Sequence, residues 1–78
     1  MKDFIEVTRY TYPHEYAVLK NLLEKARIPF FFKNETMVTT APFYSNALGG
    51  IILLVHKDFK EQTLNIIDQL NSNLSVVS

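Results

Sequence analysis

The chain has 78 residues, eight basic against eight acidic, and neither cysteine nor tryptophan. That length leaves room for one core, and excludes a disulfide scaffold, a repeat array and a catalytic domain joined to a regulatory one. Its 47% hydrophobic and 21% charged residues describe a globular domain, while the zero net charge excludes nucleic acid as an expected partner, because such binding draws on neutralised phosphates.

Phe4 to Tyr10 alternates with aromatic and β-branched enrichment, which predicts a first strand with Ile5 and Val7 on one face and Phe4, Glu6, Thr8 and Tyr10 on the other. Tyr12 and Pro13 mark a helix start, with Glu15 near the positive end of the dipole. Ala17, Leu19, Leu22, Leu23 and Ala26 form one apolar stripe. Ile28-Pro29 ends that helix, since proline restricts the residue before it to extended backbone.

Phe30 to Phe32 make a second strand that ends at Lys33 and Asn34. Glu35 through Leu48 shows neither period and is expected to be a loop, more than twice the usual length of about four to six residues. Gly50 to His56 has the unbroken apolar run of a central strand covered on both faces. Asp58 and Glu61 read as the capping-box start of a second helix, whose inward stripe is Phe59, Thr63, Ile66, Ile67 and Leu70. Asn71-Ser72-Asn73 is expected to break the chain, leaving residues 71–78 as a tail in which Leu74 to Val77 could add a short edge strand.

The order β-α-β-β-α predicts an α+β, ferredoxin-like two-layer sandwich over residues 1–70, with strands one and two parallel and the third antiparallel between them. Helices then cover one sheet face only. The exposed apolar face of so small a domain predicts a homo-oligomer, through that face or the edge of strand one.

Thr36 to Val55 is uncharged and about as long as a membrane span, but Pro42, Gly49, Gly50 and several polar residues interrupt it, so no membrane partner is expected. Asp3, Glu6 and Arg9 stand where the apolar region of a signal peptide would lie, and cysteine is absent. The expected compartment is the cytoplasm.

Tyr12 to Phe32, with Glu15, Ala17, Leu22, Leu23, Glu24, Ile28 and Pro29, resembles the first half of a bacterial family of small signal transducing proteins, domain of unknown function 2007. The second half, Tyr44-Ser45-Asn46-Ala47-Leu48-Gly49-Gly50-Ile51 with Leu53, Val55 and Asp58, resembles it more closely. The resemblance spans about Phe4 to Leu70. It implies a ferredoxin-like fold, related in shape to the nitrogen-regulatory P-II proteins, and little chemistry. Many members have Gly where this chain has Arg27, a position suited to a left-handed helix cap.

The long loop is the best candidate site. Phe43, Tyr44 and Asn46 lie beside Gly49 and Gly50, placing aromatic and amide groups next to backbone that a ligand can approach closely. The competing reading folds Phe43 and Leu48 back onto the sheet edge, with the glycines only shaping the entry to a strand. Tyr12 and His14 form a second polar cluster. No glycine-rich phosphate loop, nucleophile motif or metal-ligand spacing is present, so no cofactor, metal or catalytic residue is expected. An RNA-binding sheet would need aromatics on its third strand, and an acylphosphatase would need a glycine-supported anion loop after strand one. The residues favour a non-enzymatic regulatory or interaction module whose ligand is a protein partner or small metabolite; the alternative is an amino-acid or metabolite sensor of the ACT type. A weaker third reading is an enzyme using His14.

Overall fold

The computed structural model describes residues 2–41 and 45–77. The chain is a mixed α+β domain built on a three-stranded sheet of order β1-β3-β2. Strand β1 (Phe4–Tyr10) leads through a 3-10 turn (Pro13–Glu15) to α1 (Ala17–Lys25), then β2 (Phe30–Lys33), α2 (Glu35–Thr40), α3 (Ser45–Leu48), β3 (Ile51–His56), a second 3-10 turn (Lys57–Phe59) and α4 (Lys60–Val77). Both outer strands run antiparallel to β3, so they are parallel to each other, as the crossover through α1 requires.

The core lies between the helices and one sheet face. Leu19 and Leu23 of α1, Val38 of α2 and Ile51, Leu53 and Val55 of β3 are almost wholly buried, with Phe59, Ile66, Ile67 and Leu70 packed against them. Removing each such aliphatic side chain from water is worth about 1.5–3 kcal/mol. Thr63 is buried in the same layer, its hydroxyl donating to the Phe59 carbonyl at 2.8 Å. This back-bond lets a polar residue occupy an apolar position. Tyr16, absent from the expected stripe, is buried with Leu19 and Leu23, whereas Ala17 is exposed.

Strand β1 departs from simple alternation. Its register on β3 slips between Glu6 and Thr8, so Val7 and Thr8 share one opposing residue, Leu53. Such a bulge inverts the facing of everything beyond it. Tyr10, expected on the outer face, is therefore packed against the core together with Val7.

Three further expectations are corrected. Residues 35–48 are not one loop: they hold α2 and α3. Thr39 and Thr40 are poor helix formers, but Val38 buries completely, and Glu35 in the first turn suits the helix dipole. Asp58 does not cap the last helix through its side chain; His56 Nδ1 instead accepts the Asp58 backbone N–H at 3.2 Å, starting the 3-10 turn that leads into α4. The polar Asn71 and Ser72 are exposed and are carried within α4, so residues 71–77 continue the helix and add no strand.

The end of α1 matches expectation. Ile28 N–H donates to Leu23 O and Arg27 N–H to Glu24 O, both at 3.1 Å, the paired bonds of a Schellman cap. Its left-handed residue is Arg27, at φ +57°. Leu23 and Ile28 are both buried and seal the cap. Because Arg27 is strained and exposed, Arg27→Gly is expected to stabilise the fold by about 1 kcal/mol; a rise in the midpoint of urea unfolding checks this.

Candidate functional site

The topology gathers much of the expected site at one end of the sheet. Tyr10 pairs with Ile51 and Lys33 with Ile52, so the ends of β1 and β2 meet the start of β3. Tyr12 and His14 follow β1 directly; Gly49 and Gly50 precede β3. Phe43 and Tyr44 lie outside the described residues. Asn46 belongs to α3, and its side chain is likewise outside them.

The polar groups at this end hold the backbone together. The Asn34 side-chain amide donates to Leu48 O at 3.4 Å and Gly50 O at 3.2 Å, tying the β2–α2 junction to the entry of β3. Asn34 itself is left-handed, φ +72°, a conformation asparagine tolerates. Arg9 Nη1 reaches Gly49 O at 3.3 Å. The Glu15 carboxylate accepts from Thr11 N–H at 2.8 Å and Tyr12 N–H at 2.6 Å, satisfying amides that the first turn leaves open.

Both glycines have left-handed backbone at the entry to β3. Gly50 has φ +88°, and a Cβ there would stand 2.7 Å from the Tyr10 carbonyl oxygen; Gly49 has φ +80°, and its Cβ would meet only the flexible end of Arg9 at 2.8 Å. Tyr12 and His14 stay exposed and stack on each other, ring centroids 5.8 Å apart and nearly parallel. Among the described residues no three His, Asp or Glu side chains converge as a metal site requires, and no helix is long and apolar enough to cross a membrane.

A feature missed in the sequence lies behind this end. Tyr16 stacks on Phe32 at 4.0 Å and leans on Tyr10 at 5.4 Å, while its hydroxyl donates to Glu35 in the first turn of α2. Burial pushes the Tyr16 hydroxyl well above the ordinary tyrosine range, and the hydrogen bond and negative charge of Glu35 push it further. Tyr10 is raised as well, mainly by burial and then by Glu15. The sequence signal was available: Tyr16 stands three residues before Leu19 and seven before Leu23, on their stripe.

The outer sheet face carries a different set. The register places Phe4 and His56 in one row, Glu6, Leu54 and Phe31 in the next, and Arg9, Ile52 and Lys33 in a third. Arg9 forks onto Glu6 with two bonds, Nε at 2.8 Å and Nη2 at 3.0 Å. The guanidinium hydrogen bond holds the Glu6 carboxyl below its usual range, against slight desolvation, with Lys33 adding to it. Phe31 is 45% exposed.

Gly50→Ala is expected to cost more than Gly49→Ala, by about 1–2 kcal/mol, since backbone cannot yield as a side-chain tip can; chemical denaturation of both variants measures the difference. A folded-state pKa raised above the unfolded value means that the Tyr16 contribution is intact below about pH 10 and is lost as pH climbs beyond it. Stability is therefore expected to fall less steeply in Tyr16→Phe than in the parent between neutral pH and about pH 11, read by urea melts at each pH.

No family model, curated protein or solved structure matches this chain.

Proposed function

We propose that this chain is a non-enzymatic regulatory or interaction module, built on the ferredoxin-like plan, that works as a homo-oligomer in the cytoplasm. The observation that carries this reading is the asymmetry of the sheet. Helices α1, α2 and α4 pack with Ile51, Leu53 and Val55 on one face, while Phe31 and half-buried Leu54 and Phe4 lie on the other. The element order, with two parallel strands flanking an antiparallel third, supports the ferredoxin-like plan, to which α2 and α3 are additions between β2 and β3. The regulatory sense draws on the resemblance of Tyr12–Phe32 and Tyr44–Val55 to the signal transducing family.

The non-enzymatic reading is supported by the structural contacts of several side chains with acid–base chemistry. Glu15 holds two amides, Glu35 holds Tyr16, and Glu6 holds Arg9. His14 is stacked on Tyr12. A protein or metabolite partner would meet the module at the segment between β2 and β3, next to Gly49 and Gly50. Sedimentation velocity and light scattering from micromolar to millimolar concentration test the assembly: the expected mass rises toward twice the 9.0 kDa of the monomer, and a monomer at every concentration overturns the reading.

A further inference from the structure

We infer that the occupant of the outer sheet face is a second copy of this chain, turned so that Glu6 of each copy meets Arg9 of the other across a two-fold axis. The inference rests on the homo-oligomeric reading above and adds the interface and its geometry.

The face carries both signs of charge around a middle in which Ile52 is only 9% exposed and Leu54 half-buried, so Phe31 and the charged side chains supply most of the surface a partner can cover. Glu6, Leu54 and Phe31 stand in one row across the strands, and Arg9, Ile52 and Lys33 in the adjacent row. Face-to-face pairing of identical surfaces needs a two-fold axis lying within the interface. Two directions suit a sheet. An axis along the strands exchanges β1 with β2 and sets Arg9 on the partner's Lys33, like charge on like. An axis across the strands, passing between Ile52 and Leu54, sets one row on the other. Leu54 then meets the partner's Ile52, Glu6 meets the partner's Arg9, and Phe31 meets the partner's Lys33, where a cation can lie over an aromatic ring.

Only the second arrangement is complementary in all three columns. Each Glu6 keeps its own forked Arg9 while gaining a second, and the flexible Lys33 reaches the partner's Phe31 at the rim. That matters because an unpaired buried charge costs far more than a paired one returns. The mixed signs select a second copy over a partner of one net charge, which would meet one row favourably and repel the other. The β1 edge is the weaker alternative, since the bulge after Glu6 interrupts its ladder.

The size of the face sets the strength. Strands of seven, four and six residues, about 4.8 Å apart and rising about 3.3 Å per residue, present a few hundred Å² per copy at most. Stable complexes bury roughly 800 Å² per partner. The dimer is therefore weak and concentration-dependent, and charge reversal should shift it readily.

The test uses Glu6→Arg and Arg9→Glu, each followed by sedimentation velocity, with circular dichroism to verify folding. Each variant alone sets like charges against each other and is expected to associate at least about tenfold more weakly than the parent. An equimolar mixture of the two is expected to regain parental association as a heterodimer, because the Glu6→Arg copy then offers two arginines to the two glutamates of the Arg9→Glu copy. Phe31→Lys, at a 45% exposed position and with folding verified in the same way, should also weaken association. If the parent dimerises and these variants do so equally well, the interface lies elsewhere and this inference fails while the oligomeric reading stands. Folded single variants whose mixture stays monomeric overturn the cross-pairing, and a parent that is monomeric throughout removes both.

Discussion

One extra residue in β1 decides what each face of this domain presents. In a regular strand Glu6 and Arg9 would point to opposite faces, and Tyr10 would share a face with Glu6. The slip at Val7 puts Glu6 and Arg9 side by side opposite Leu54 and Ile52, and swings Tyr10 inward against Tyr16. The inner aromatic packing and the outer charge pattern are thus two results of a single backbone irregularity. Remove the bulge, and the core loses Tyr10 as the outer face loses its ion pair.

The second organising contact is at the end of the sheet where β2 gives way to α2, which Asn34, Tyr16 and Glu35 fix in place. Asn34 turns the chain through a left-handed conformation and donates to two carbonyls next to β3. Glu35, one residue later, takes the Tyr16 hydroxyl, and Val38 plugs the core. These closely spaced anchors turn a polar, threonine-rich segment into ordered helix. Its stability is tertiary in origin, as expected for a helix too short to persist alone.

The parts of the fold that could be read from sequence are those in which one local rule acts without competition. The Ile51–Val55 run announced a central strand, the Leu19–Leu23 spacing a helix, and Ile28-Pro29 its stop. Where a local rule met a tertiary contact, the contact prevailed. Thr39 and Thr40 disguised α2, whose cause is Val38. Asn71 and Ser72 looked like a break, yet exposed polar residues cost a helix only a few tenths of a kcal/mol each. The bulge left no mark in the pattern, because Val7 and Thr8 are both ordinary strand residues. Of the candidate site, the crowding of Gly50 against Tyr10 was beyond reach of sequence, since it depends on pairing between distant segments; the outer-face charge pattern was hidden for the same reason.

The central place of β3 has a consequence for how the chain comes to fold. β1 and β2 are not neighbours in the sheet; among the described residues each forms its ladder with β3, Phe4 pairing to His56, Tyr10 to Ile51 and Phe30 to Val55. On the ribosome, both early strands must wait unpaired until the Ile51–His56 stretch emerges, with α1 the only element able to form from local contacts. Sheet formation is then a late, long-range closure, slower than local helix growth. Until it happens, the aromatic triplet Phe30-Phe31-Phe32 travels exposed, and it is the segment on which a nascent-chain chaperone would find its grip.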